Sequence, residues 1–246
     1  MTTMNFSDRI DRLQTLRREH RLIRNKWVDK DADGQELACL LAALSPEVGE
    51  AEAADACPAD VVTDWFAHLT PWIDDAGSKG AWEAMVSRYV AIVSAWQTLT
   101  PERDRCLKYA VRALCVREAM RHTSDASVLA VCQRVALLCE GVAAGGAIDS
   151  EAFVEAEEAS AAAEAAAASS AASRAATSAA TASSWAAASR EAASWATSSA
   201  AASASWATSS RAAAEWATAE AAADRLIDAI LGACERELGI AKEGRC

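Results

Sequence analysis

Residues 185–220 read WAAASREAASWATSSAAASASWATSSRAAAEWATAE. Nothing in that string breaks a helix, and its surroundings extend the reading in both directions. No glycine or proline occurs between Gly146 and Gly232, and Ala, Ser and Thr make up 55 of the 68 residues from Ala156 to Ala223. Alanine has the highest helix propensity, so small per-residue preferences accumulate over this length and favour helix over disorder. Asp149 or Ser150 caps the start, with Glu151 and Glu155 near the positive end of the helix dipole. One unbroken helix over 150–238 would be about 130 Å long. The alternative is a fold-back at a Ser/Thr cluster such as Ser198 to Ser205.

The tract is periodic. Trp185, Trp195, Trp206 and Trp216 head the strings WAAAS, WATSS, WATSS and WATAE, at spacings of 10, 11 and 10 residues. That is about 3.4 residues per turn, near the 3.5 that holds a stripe on one seam when helices supercoil left-handedly. Alanine buries little area, whereas each indole can bury about 150–250 Å². These four tryptophans are therefore the expected interaction residues of a coiled-coil-like seam. They pack within the chain, against a second copy, or against a foreign partner.

The rest of the chain also reads as helical. Four Pro, ten Gly and 6% aromatics in 246 residues argue against an all-β protein, and the predicted class is all-α. Ser7 is the expected cap of a first helix running to about Trp27, with Ile10, Leu13, Leu16, Ile23 and Trp27 on one face. Ser45-Pro46, Thr70-Pro71 and Thr100-Pro101 each place a hydroxyl at a cap and a proline in the first turn, so each predicts a helix start. Ser78 caps Lys79 to Gln97, and Thr123 or Ser124 caps Ala126 to Val142. The predicted layout is a compact multi-helix domain over 1–144, a Gly-containing linker over 145–149, the tract helix over 150–238 and a tail over 239–246.

Charge is uneven. Residues 1–28 carry 7 basic and 3 acidic groups, whereas residues 29–80 carry 2 basic and 12 acidic. The acidic block is either a solvated face partly neutralised by the basic first helix or a patch for a basic partner, with Asp29, Asp31, Asp33, Asp60 and Asp64 as its residues. The arginines at 9, 12, 17, 18, 21 and 24 have no aromatics or loops suited to base readout beside them, so nucleic-acid binding is not expected.

Asp29-Lys-Asp-Ala-Asp-Gly34 matches the first half of an EF-hand loop and makes Asp29, Asp31 and Asp33 a calcium candidate. The twelfth position, which should supply a bidentate Glu, is Leu40, and the eighth is Glu36. A simpler reading makes Asp33 an N-cap paired with Glu36 at the start of a helix over Leu37 to Leu44.

Tests for chemistry are mostly negative. There is no Gly-rich phosphate loop, nucleophile elbow or H-E-x-x-H, and three His exclude most imidazole-rich sites. Eight cysteines without C-x-x-C read as thiols in a reducing compartment. Cys115 and His122, or Cys132 and Cys139, stand two helical turns apart, too far for one zinc without further ligands. Asp60, Asp64, Asp74 and Asp75 are the candidates to flank a pocket near Trp65, Trp72 and His68, with an acid/base pair conceivable there. No catalytic residue, cofactor or resident metal is predicted. The 19 uncharged residues from Ala192 to Ser210 are nearly half Ser and Thr and lack Leu, Ile, Val and Phe, so they are not expected to span a membrane. MTTMNFSDRIDRLQ lacks the apolar core of a secretory signal, so the expected location is intracellular.

Three strings carry a resemblance: GQELACLLAALSPEV (34–48), ACPADVVTDWFAHLTPWIDDAG (56–77) and VREAMRHTSDASVLAVCQRVALLCE (116–140). They precede an Ala/Trp tract that ends in ADRLIDAIL (223–231). Together they resemble uncharacterised phage and prophage proteins with alanine-rich C-terminal repeats. The resemblance implies a viral or prophage origin and action in the cytoplasm of a bacterial host, and it carries no activity or catalytic residues. Two functions follow as expectations. One is a non-enzymatic protein that binds a protein partner or itself through the Trp seam. The other is an acidic inhibitor of a host defence or nucleic-acid-binding enzyme, with residues 29–80 mimicking phosphates.

Overall fold

The computed structural model of the chain describes residues 4–122, 126–167 and 212–240. Trp185, Trp195 and Trp206 lie outside these residues, Trp216 is described only by its backbone, and whether one helix runs from 150 to 238 also falls outside them. Among the described residues the protein is all-α apart from one short hairpin. The helices are α1 (Phe6–Arg18), α2 (Leu40–Leu44), α3 (Pro46–Ala51), α4 (Asp64–Ala76), α5 (Lys79–Ala95), α6 (Pro101–Met120), α7 (Ala126–Ala143), α8 (Ser150–Ala167) and α9 (Ala212–Leu238). Strands β1 (Val28–Lys30) and β2 (Glu36–Ala38) pair antiparallel, with Asp29 opposite Leu37.

The chain divides into two compact units, and the division corrects the expected layout. The boundary falls between Thr100 and Pro101 rather than near residue 144, and α9 belongs with the first unit. Helix α9 has an apolar face, with Leu226, Ile227, Ile230, Leu231 and Cys234 all buried, and it packs on α4 and α5. Its acidic residues fix the register. Asp224 Oδ1 accepts from the Ser78 N–H (2.8 Å) at the start of α5, and Arg88 of α5 holds Asp228 (2.6 Å) and, with two nitrogens, Glu235 (2.5 and 2.9 Å).

The first unit is built around aromatic and aliphatic packing. The Phe66 ring stacks on Trp96 with centroids 4.3 Å apart and on Tyr89 at 5.9 Å. Leu13 and Leu16 of α1, all of α2, Ile73 of α4 and Val86, Ile92 and Val93 of α5 close around this cluster.

Several local expectations are corrected. Helix α1 is capped by Asn5, whose side chain accepts from the Asp8 N–H (3.0 Å), not by Ser7. It ends at Arg18, so Ile23 and Trp27 are not on it. The stop is a Schellman motif: His20 is left-handed (φ 55°), the Arg21 N–H reaches the Leu16 carbonyl (2.8 Å) and the His20 N–H that of Arg17 (3.1 Å). The Asp33–Glu36 capping pair is instead part of the hairpin, and α2 starts only at Leu40, behind Cys39. Thr70-Pro71 starts no helix. Pro71 sits inside α4, and the Thr70 hydroxyl donates back to the Phe66 carbonyl (2.8 Å). The starts at Pro46, Lys79, Pro101, Ala126 and Ser150 agree with the sequence reading.

The second unit is an antiparallel pair, α6 and α7, with α8 against α7. Tyr109, Ala113 and Val116 of α6 meet Val128, Cys132, Val135, Ala136, Cys139 and Val142 of α7, and Phe153 and Ala156 of α8 complete the core. Helix α7 is the one described helix long and apolar enough to cross a membrane, with a mean hydropathy of 1.5, and this core face accounts for much of its apolarity. It ends at the expected glycines. Gly145 takes φ 91°, and a Cβ on Gly146 would lie 2.7 Å from the Gly141 carbonyl oxygen. The Asp149 carboxylate then caps α8 by accepting from the Ala152 N–H (3.0 Å).

Candidate functional site

Most of the early arginines are engaged inside the first unit, and that decides which acids stay free. Arg9 is 2% exposed. It donates two hydrogen bonds to Glu47 (2.6 and 2.8 Å), one to the Ser45 hydroxyl (3.3 Å) and one to the Met4 carbonyl (3.3 Å). Arg12 donates to the Ala42 and Ala43 carbonyls (2.6 and 2.5 Å) at the C-terminal end of α2, and to Glu36. Arg24 does the same for α4, donating to the carbonyls of Asp74, Asp75 and Gly77. Arg17 bonds the Ser87 hydroxyl and Arg21 pairs with Glu19. A guanidinium on the last carbonyls of a helix satisfies groups that have no intrahelical partner and offsets the negative end of the dipole. The arginines of α1 and of the segment that follows it thus serve the fold.

Replacing Arg9 by Ala is expected to lower the unfolding free energy by about 2–4 kcal/mol, because Ser45 and Glu47 lose their donor and a buried volume empties. Urea denaturation of the two proteins measures this. Arg9→Lys should recover only part of the loss, since an ammonium cannot grip the carboxylate with two parallel bonds.

The named acidic residues separate by element. Asp29, Asp31 and Asp33 lie on the β1–β2 hairpin, where the half-match to a calcium loop is a turn. The Asp31 carboxylate accepts from the Asp33 and Gln35 N–H groups (2.9 and 2.8 Å), Gly34 takes φ 77°, and Asp29 pairs with Lys26 (2.7 Å). The Lys26 ammonium and the Lys30 N–H lower the Asp29 pKa. Asp60 and Asp64 belong to a different run. Together with Glu50, Glu52 and Asp55 they are exposed along the segment from α3 to the first turn of α4.

The expected pocket flanked by Asp60, Asp64, Asp74 and Asp75 does not form. Asp74 is 1% exposed and accepts from the Leu40 N–H and from Trp82 Nε1, both at 3.1 Å, so it faces inward as a cap for α2. Burial pushes its pKa up to about 7, against those two hydrogen bonds. Asp75 is exposed and accepts from the Asn25 N–H (2.6 Å). The cavity where α4, α5 and α9 meet is about 130 Å³ and is walled by Ile73, Met85, Ile227 and Leu231. That is smaller than the roughly 300 Å³ at which small-molecule sites begin.

Comparison with protein-family models, with curated proteins and with solved structures gives no match. What the chain offers chemically therefore rests on its own geometry.

Two further groups of residues bear on chemistry. The seven described cysteines are all free, and burial raises the thiol pKa to about 12 for Cys39, Cys115 and Cys234 and to about 11 for Cys57 and Cys139. Thiols held so far above neutral pH are packing groups rather than nucleophiles. The second group was only half visible in the sequence. Asp64 and His68 lie four apart on α4, and the fold brings Asp55, from the short 3₁₀ turn Ala54–Ala56, onto the same imidazole. The i, i+4 spacing was the available signal for Asp64 and His68; nothing local pointed to Asp55.

Proposed function

We propose that the protein is a non-enzymatic phage or prophage accessory protein of the bacterial cytoplasm, acting through protein–protein contact. The Ala/Ser tract presents Trp185, Trp195, Trp206 and Trp216 for self-assembly or for docking a partner. The observation that carries this reading is that the helices flanking the tract are each built into a core. Phe153 and Ala156 anchor α8 in the second unit, and Leu226, Ile227, Ile230 and Leu231 anchor α9 in the first. The tract thus joins two helices that each belong to a folded core, which supports reading its tryptophans as an interaction surface. The double substitution Trp195→Ala, Trp206→Ala is expected to shift the sedimentation coefficient toward the monomer or to abolish partner capture, with both folded units unchanged in far-UV circular dichroism. Unaltered assembly, capture and thermal stability would remove the seam from the mechanism.

A second reading is supported by the exposed run Glu50, Glu52, Asp55, Asp60 and Asp64, which the α1 arginines leave largely unpaired. On this reading the acidic surface occupies a phosphate-binding site on a host defence enzyme. Binding would then weaken steeply with salt and after neutralisation of Asp29, Asp31, Asp33, Asp60 and Asp64. Salt-independent binding sinks it.

A further inference from the structure

We propose that Asp55, Asp64 and His68 form a binding site for a divalent first-row transition-metal ion. The case starts from the proton on the imidazole. His68 Nδ1 lies 2.8 Å from the Asp64 carbonyl oxygen, which can only accept, so Nδ1 carries a hydrogen. On a neutral ring that leaves Nε2 as a lone pair. Yet Nε2 lies 2.6 Å from Asp55 Oδ1, another acceptor. The carboxylate oxygen thus faces the nitrogen that is free to coordinate, and an ion seated between them would be held by both.

Three further features favour the ion. A backbone carbonyl that takes the Nδ1–H is the arrangement that orients a metal-binding histidine and makes its other nitrogen more basic. The Asp64 carboxylate also converges on the ring, with Oδ1 3.3 Å from Nδ1, and one donor atom from each of the three residues lies within 4.8 Å of the others. That carboxylate stands on the Nδ1 side of the ring, and its side chain is 59% exposed, so it can swing to share an ion held on Nε2. The imidazole is also held in place, with its side chain 9% exposed, while Asp55 is 84% exposed and free to adjust.

Zinc–nitrogen and zinc–oxygen bonds of about 2.0–2.2 Å set tetrahedral donors about 3.3 Å apart, so Asp55 need retreat by less than about 1 Å. Water completes the shell. One imidazole with two carboxylates suits Zn²⁺, Mn²⁺ or Co²⁺ better than Cu⁺, which prefers sulfur.

The test is calorimetric titration of the full chain with ZnCl₂ at pH 7.5, beside Asp55→Asn and His68→Asn. One Zn²⁺ per chain is expected to bind through this site, with affinity reduced about tenfold or more in Asp55→Asn and the event lost in His68→Asn. Asp55 is exposed enough for its replacement to leave the fold intact, so it decides the matter even if His68→Asn is unstable. Absence of binding to the wild-type chain, or equal affinity in the wild type and Asp55→Asn, as thiol binding would give, overturns the proposal.

Discussion

Ile230→Asp is expected to unfold the first unit while leaving the second folded. Ile230 is fully buried on α9 next to Leu231, also fully buried. Truncation to Ala alone should cost about 2–5 kcal/mol from lost transfer energy and the cavity left behind. A carboxylate at the same place has no partner, and its burial adds several kcal/mol more or forces α9 off α4 and α5. The total approaches the roughly 5–15 kcal/mol by which a domain is stable at all. Amide hydrogen exchange should show protection lost at Leu40–Leu44 and across α5, and kept in α6 and α7. Retained protection in α5 would mean that α9 is not part of that core.

The second large effect is a pH dependence set by Asp74. Its pKa stands at about 7 in the folded protein against an ordinary value of 3.8, chiefly because burial disfavours the carboxylate. The hydrogen bonds from Leu40 and Trp82 and the nearby Arg24 pull the other way, while Asp75 adds to the rise. A raised carboxyl pKa penalises the folded state once the unfolded chain has released its proton. Stability therefore falls as pH rises from about 4 to about 7 and is level above that, by about 4 kcal/mol in all.

Glu47 acts in the opposite sense at lower pH. Arg9 holds its pKa at about 2, below the ordinary 4.5, so its contribution is complete above about pH 4.5 and is lost as pH falls toward 2. Because Glu47 is 42% exposed, solvent screening limits that contribution to about 1–2 kcal/mol. The optimum should lie near pH 4–5. Urea unfolding at pH 4.5 and pH 8 should show a clear drop for the wild type and a much smaller one for Asp74→Asn. Equal drops would remove Asp74 as the cause.

Much of this was written locally in the sequence. Ser78, Asp149, Pro46 and Pro101 mark helix starts because cap and first-turn chemistry depends on only a few neighbouring residues, and Gly145-Gly146 marks a stop for the same reason. Thr70-Pro71 carries the same start signal, but burial of Phe66, Leu69, Thr70 and Ile73 along one continuous face keeps α4 running through the proline. The end of α1 was hidden because His20, not glycine, adopts the left-handed conformation, so the apolar period seemed to continue to Trp27. The stretch Asp29 to Glu36 suits a calcium half-loop, a helix cap at Asp33 and a hairpin turn alike, and the pairing of β1 with β2 shows that it is a hairpin and not a helix start. The partner of α9 could not be read at all. Its apolar face was visible, but the matching face lies about 140 residues earlier on α5. The same holds for Asp55 and His68, which are joined only by the course of the chain between α3 and α4.

The proposal that the tryptophan tract acts as an interaction surface rests on α9 being a core element of the first unit, and fragment complementation tests that directly. Residues 1–100 and a peptide of residues 212–240 are made separately and mixed. The expected result is a weakly folded 1–100 that gains cooperative unfolding and α5 amide protection when the peptide binds, with an Ile230→Asp peptide inactive. A fragment of residues 1–100 that folds with full stability alone and ignores the peptide would contradict it.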